Sequence, residues 1–186
     1  MSPNQKFKIV AIVGMPGSGK SAVSKVFERQ GYRKVRFGDV TDEEVKKQGL
    51  ELNEENERRV REELRKQHGM AAYAIMNLPR ISDALKASNV VIDGLYSWEE
   101  HKFLKEEFDG AFSTVAVWAP PRVRYQRLKN RTVRRLTPDE SKARDFAEIE
   151  NVNKGGPIAM ADYTILNDST LESLISQVMG VIRALK

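Results

Sequence analysis

The segment that most constrains this chain is the run from Phe7 to Phe27. It opens with Phe7-Lys8-Ile9-Val10-Ala11-Ile12-Val13, a short apolar stretch of the kind that is buried in a parallel sheet. Gly14-Met15-Pro16-Gly17-Ser18-Gly19-Lys20-Ser21 follows. Ala22, Val23, Val26 and Phe27 then recur at helical spacing, so a helix opens at Gly19 or Lys20. Strand, glycine-rich turn and helix in that order meet every fixed position of the phosphate-binding pattern G-x-x-x-x-G-K-S/T. A chance glycine turn is the bland alternative, and the full match in this context argues against it. The candidate nucleotide-binding residues are therefore Gly14, Met15, Pro16, Gly17, Ser18, Gly19, Lys20, Ser21 and Ala22. Free amides and the positive end of the helix suit phosphate. Lys20 is expected to reach the β- and γ-phosphates of ATP, and the Ser21 hydroxyl to ligate Mg²⁺.

A length of 186 residues suits one domain with a real core. The 40% hydrophobic and 31% charged content describes a soluble globular chain. No apolar stretch is long enough to span a membrane, and the polar segment Met1 to Lys6 is too short for a signal peptide. There are no cysteines, which excludes disulfides, thiolate metal sites and Cys nucleophiles and fits a cytoplasmic location. The net charge is +5, and the excess is concentrated. Arg122, Arg124, Arg127, Lys129, Arg131, Arg134 and Arg135 follow one another with no acid among them. Such a block points to a polyanion, either nucleotide phosphates or nucleic acid; a solvated helix face is the alternative.

Strand and helix patterns alternate along the chain, which predicts a parallel sheet covered on both faces. The expected strands are residues 7–13, Arg33 to Phe37, Asn89 to Asp93, Phe112 to Trp118 and Tyr163 to Leu166. A last helix over about 170–185 carries Leu171, Leu174, Ile175, Val178 and Ile182 on one face. Residues of about 40–87 interrupt the alternation as a helical insert over the carboxyl edge of the sheet, where ligands bind in open α/β folds. Within it, Thr41 and Glu44 resemble a capping box, Glu54 to Gln67 reads as a charged surface helix, and Met70 to Ala87 as a helix that Pro79 kinks or breaks.

Other stations carry chemistry. The third strand closes on Asp93-Gly94, the arrangement in which a carboxylate holds Mg²⁺ directly or through water. Asp39, directly after Gly38, either accepts a proton from an attacking hydroxyl or caps a helix, and the two roles are compatible. Pro120-Pro121 opens a helix on which Arg124, Arg127 and Arg131 share a face. Thr137 and Glu140 form a capping box for the next helix, which bears Arg144 and Asp145. Two arginine-bearing helices over a phosphate site make a lid of about residues 120–150, and arginine suits charge developing on a transferring phosphoryl group. His68 and His101 read as surface residues, and Trp98 and Trp118 as packing residues.

Taken together, the loop at 14–21, Phe37-Gly38-Asp39, Ile92-Asp93-Gly94, Arg144-Asp145 and Ala161-Asp162-Tyr163-Thr164-Ile165-Leu166-Asn167 resemble the nucleoside-monophosphate-kinase-like P-loop kinases. Within them the chain is most similar to dephospho-CoA-kinase-like and adenylate-kinase-like proteins, over nearly its whole length. The resemblance implies a three-layer αβα domain over 1–186, with a five-stranded parallel sheet in the order 2-3-1-4-5. It also implies Asn167 near the adenine, and Arg127 or Arg131 as the lid arginine near the base. Adenylate kinases commonly carry an arginine soon after the Asp-Gly of the third strand; here Tyr96 stands at that place. The insert is unusually charged, with Arg58, Arg59, Arg61 and Arg65 among many acids. Both departures count against a plain nucleoside monophosphate as acceptor.

The expectation is an ATP- and Mg²⁺-dependent kinase of a small phosphate- or hydroxyl-bearing molecule. Its expected catalytic residues are Lys20, Asp39, Arg127, Arg131 and Arg144, and its metal ligands Ser21 and Asp93. The alternative is a nucleotide-dependent binding or regulatory NTPase that associates with RNA through the arginine block. A kinase fold that binds ATP without turnover is a third possibility, to which the presence of Lys20, Ser21 and Asp93 lends no support. The G-protein guanine motif Asn-Lys-x-Asp is absent.

Overall fold

In the computed structural model of the chain, which describes residues 7–132 and 135–185, β1 (Ile9–Val13) is buried along its whole length. Arg134 of the basic block and the Met1 to Lys6 segment lie outside the described residues. Successive side chains of a strand point to opposite faces. Ile9, Ala11 and Val13 accordingly enter one core, and Val10 and Ile12 another. Around β1 stand β2 (Arg33–Arg36), β3 (Val90–Asp93), β4 (Phe112–Trp118) and β5 (Tyr163–Leu166) in the spatial order β2-β3-β1-β4-β5. Every pairing is parallel, with Ile9 opposite both Val90 and Phe112, Arg33 opposite Val90, and Val115 opposite Tyr163. Parallel strands need long crossovers, so every carboxyl end emerges at one edge of the sheet. That edge carries the phosphate loop, Asp93 and Asn167.

Two helices cover one face. They are α1 (Lys20–Arg29), with Val23 and Phe27 buried, and α9 (Leu171–Ala184), with Leu174, Val178 and Ile182 buried. The other face is covered by α2 (Asp39–Lys47), α3 (Glu54–His68), α4 (Ala72–Ala84) and α5 (Trp98–Phe108). Val45, Val60, Leu64, Tyr73, Ile81 and Leu104 from these four helices lie in a single core with Phe37 and Ile92. The helical stretch between β2 and β3 is therefore built into the core as well as reaching the sheet edge. The charged helix α3 is a surface element that still buries Val60 and Leu64. At the carboxyl edge lie α6 (Pro121–Lys129) and α7 (Pro138–Glu150), while the short α8 (Gly155–Ala159) packs against α5 and β4.

Several local expectations change. Thr41 does not cap a helix: α2 starts at Asp39 behind Gly38, so Thr41 sits in its first turn, buried, with its hydroxyl 2.6 Å from the Tyr73 hydroxyl. The chain turns directly off β2, and Asp39 and Asp42 suit the positive end of the new helix. Helix α4 continues through Pro79 as one element. His101 is buried, stacked on Trp98 at 5.1 Å and hydrogen-bonded to Thr114, because α5 lies against β4 at that point. Trp118 is 45% exposed at the end of β4, so it is not a core packing residue. Arg131 leaves the face it was expected to share, because α6 ends at Lys129. The capping box of Thr137 and Glu140 forms as expected, and Ser97 with Glu100 forms a second one on α5.

Candidate active site

The phosphate loop is held from three sides. Gly17 adopts a φ of 77° and packs so closely under α6 that a β-carbon would lie 2.7 Å from the Arg124 carbonyl oxygen. Gly19 adopts a φ of 102°, and a β-carbon there would run into the Asn167 amide. Both backbone conformations lie where side chains are disfavoured, so glycine is required on two counts. Asn167 donates from Nδ2 to the Ser18 carbonyl at 2.7 Å, locking the loop to the end of β5. Helix α1 begins at Lys20 with no side-chain cap, which leaves its first N–H groups for a ligand.

Above the loop lies a cavity of about 410 Å³. It is lined by Pro16, Gly17, Gly19, Lys20 and Ser21, and by Arg36, Gly38, Asp93, Tyr96, Arg127, Arg131, Arg144, Glu148 and Lys154. Six basic side chains thus face two acidic ones. Lys20 donates to the Gly14 and Met15 carbonyls at 2.8 and 3.1 Å. Removal from bulk water and the charge of Lys154 lower its pKa to about 7, against the opposing pull of Glu148 and Asp93. Burial pushes the Asp93 carboxyl up, offset in part by Lys20, Lys34 and Arg36. The Ser21 hydroxyl and the Asp93 carboxylate are hard oxygen donors in one cavity, which fits Mg²⁺. Among the described residues no three His, Cys, Asp or Glu side chains converge, so such an ion would draw its other ligands from phosphate oxygens and water.

The basic block divides into two jobs. Arg124 is 5% exposed and grips Asp145 through two bonds of 2.9 and 2.6 Å. Its guanidinium also donates to the Pro16 and Ala119 carbonyls, both at 3.1 Å, which ties the loop to α6 and α7. Arg124 and Asp145 are therefore scaffold. Arg127 faces the cavity and donates to the Asn167 carbonyl at 2.9 Å, while its Nη1 is buried with no hydrogen-bond partner. Arg144 faces the cavity and reaches Glu148 at 3.3 Å, and Arg131 also lines it. Spacing alone does not sort these arginines, because Arg124 and Arg127 are both three or four residues from their neighbours.

Asp39 lies outside this cavity. Its carboxylate accepts from Arg36 at 2.7 Å, and Arg36 also donates to Asp42 at 2.6 Å. Asp39 lines a neighbouring cavity of about 380 Å³ with Arg33, Lys34, Arg80 and Asp83, and Arg36 is common to both cavities. Lys154, Glu148 and Arg36 were not expected in the site. Lys154 is fully buried, ion-paired with Glu148, with Nζ 4.4 Å from the centre of the Tyr96 ring. It comes from the irregular stretch before α8, where no periodicity marks it.

Residues 10–148 match the AAA domain family. A UPF0200 protein of Thermococcus kodakarensis is 40% identical over 183 residues, covering 94% of this chain and 96% of that protein. A UPF0200 protein of Pyrococcus horikoshii is 33% identical, covering 92% of this chain and 98% of that protein. In fold the chain is similar to TT1252 of Thermus thermophilus, with a TM-score of 0.68, 20% identity, and 96% and 97% of the two chains covered. A shikimate kinase of Bacteroides thetaiotaomicron gives a TM-score of 0.63 at 17% identity, covering 95% and 98%. The chain belongs to the UPF0200 family and carries an AAA domain of P-loop kinase-like fold.

Proposed function

We propose that the protein is an ATP-dependent, Mg²⁺-requiring kinase of a small molecule. The carrying observation is the cavity itself: the phosphate loop with Lys20 and Ser21, the β3 carboxylate Asp93, and Arg127, Arg131 and Arg144 all line one space. Six cations against two acids match a polyphosphate. The buried, unpartnered Nη1 of Arg127 is also ready for an anion. The structural neighbours named as shikimate kinase and gluconokinase favour a small acceptor with a hydroxyl group.

In this reading the loop amides and Lys20 hold the β- and γ-phosphates, and Asn167 with Arg127 marks the base end. Mg²⁺ at Ser21 and Asp93 would neutralise charge on the phosphate oxygens. The acceptor oxygen forms its bond to the γ-phosphorus as the bond to the β–γ bridging oxygen breaks, and ADP leaves with that electron pair. The hydroxyl proton passes to an acceptor-side carboxylate, which we assign to Asp39, oriented by Arg36. Catalysis is mainly positioning and charge stabilisation, so arginines from α6 to α7 act as the lid and α2 to α4 supply the acceptor side.

A coupled ADP-release assay with Mg·ATP tests this against dephospho-CoA, each nucleoside monophosphate, nucleosides, shikimate and gluconate. One acceptor should raise turnover by orders of magnitude over background hydrolysis, and Lys20→Ala should abolish the effect. Flat turnover with measurable ATP binding would favour a regulatory NTPase instead. Arg122, Lys129 and Arg135, exposed and outside the cavity, are the residues through which such a protein would meet RNA.

A further inference from the structure

We propose that Lys154 is a second phosphate-gripping lysine, which contacts the terminal phosphoryl group of the bound triphosphate and is held ready for it by Glu148 and Tyr96. The inference rests on the kinase reading and extends it to a residue that no sequence pattern marks. Lys154 is 0% exposed, yet it lines the phosphate cavity. Its ammonium is paired with Glu148 and lies over the Tyr96 ring, while its own backbone N–H donates to the Glu148 carbonyl at 3.1 Å. The pair therefore fixes both ends of the segment joining α7 to α8.

A purely structural pair explains this poorly. Burying two charges is often no better than burying two apolar groups of the same size. Here the position is less favourable still, because the same cavity holds Lys20, Arg36, Arg127, Arg131 and Arg144. Among the charges acting on Lys20, that of Lys154 is the largest, ahead of Glu148, Asp93 and Arg144. Like charges gathered around one cavity are unfavourable until an anion enters. Glu148 supplies a carboxylate in the meantime, shared between Lys154 and Arg144.

Position along the cavity selects the phosphate. On the kinase reading the base end lies at Asn167, which accepts from Arg127 and donates to the Ser18 carbonyl. Lys154 overlies the Tyr96 ring, and its charge is the one felt most at Lys20, the loop lysine expected at the β- and γ-phosphates. Contact with the γ-phosphoryl group rather than the β-phosphate makes Lys154 a reader of ATP against ADP.

The experiment is calorimetric titration of the full chain with Mg·ATP and with Mg·ADP. Three variants are compared with the natural protein: Lys154→Met, Lys154→Arg, and Lys154→Met combined with Glu148→Gln. The expected result for Lys154→Met is a loss of ATP affinity of about tenfold or more, the size of a charge-assisted hydrogen bond, with ADP affinity within about twofold. Lys154→Arg should recover part of the preference. The combined variant removes both buried charges, so it keeps the test open if Lys154→Met alone fails to fold. It too should bind ADP normally and ATP weakly. Equal loss of ATP and ADP in the folded variants, or no loss of either, overturns the proposal while leaving the kinase reading in place. Failure of the natural protein to bind either nucleotide overturns the kinase reading itself.

Discussion

In the free protein Lys20 is already bent back onto the Gly14 and Met15 carbonyls. Its pKa of about 7 means that much of the free protein is uncharged there at neutral pH. A triphosphate placed beside it restores the charged form. The bound state therefore carries more protons than the free state at and above pH 7, and binding must weaken as pH rises. Between about pH 7 and about pH 9, ATP affinity should fall by up to about tenfold per unit. Calorimetry at about pH 8 in buffers of different ionisation enthalpy should show proton uptake. A pH-independent affinity with no uptake would mean that Lys20 is fully charged before ATP arrives. The importance of Lys20 was legible in the sequence because its role is fixed by neighbours a few residues away. Lys154, Glu148 and Arg124 were not, because their partners Tyr96, Lys154 and Asp145 come from other elements. No local pattern distinguishes Arg124, bound to Asp145, from Arg127, which faces the cavity.

Helix α5 is the element whose sequence does two things at once. Ser97 accepts from the Glu100 N–H at 2.9 Å, and Glu100 accepts from the Tyr96 and Ser97 N–H groups at 2.8 and 3.3 Å. The same box that starts the helix thus fixes Tyr96 under Lys154. Glu100 is fully buried, and burial pushes its pKa from 4.5 up to about 7 against the pull of those backbone bonds. An acid with a raised folded pKa binds more protons folded than unfolded between those two values. Its contribution to stability therefore declines as pH rises from 4.5 to about 7, and is flat beyond. Glu100→Gln keeps an oxygen acceptor and removes the charge, so the decline should vanish, a change of about 3 kcal/mol at most across the window. Urea unfolding at a series of pH values checks this; an unchanged profile in the variant would assign the pH dependence elsewhere. At this scale the strands were readable, since β4 and β5 are apolar and β-branched runs, ended by Pro120-Pro121 after β4 and by Asn167-Asp168 after β5. The start of α2 was misread because Asp39 and Thr41 both suit a helix start, and only the turn after β2 chooses between them. Helix α8 is too short to show a period.

For the molecule as a whole, a parallel sheet collects its working ends at one edge, and this chain concentrates positive charge there. A net charge of +5 is modest, but the cavity alone holds six basic and two acidic groups. Charge of one sign in a partly closed space opposes the compact state until a polyanion enters. Nucleotide binding should therefore stabilise the whole fold, and phosphate should account for most of the effect. At a concentration about a hundred times Kd, a ligand adds about 2.7 kcal/mol. In a chain of this length that corresponds to a rise in Tm of roughly 5–10 °C. Mg·ATP should give such a rise, inorganic tripolyphosphate most of it, and adenosine very little. Lys20→Ala should lose the shift with either phosphate ligand. A full shift from adenosine alone would transfer recognition from the cations of the cavity to the Asn167 end. Equal shifts from tripolyphosphate in the natural protein and in Lys20→Ala would place the responsive anion site on the outer arginines instead. The molecule's charge distribution and its loop chemistry are thus tested by one series of melting curves, because the first predicts which ligands act and the second predicts which variant is blind to them.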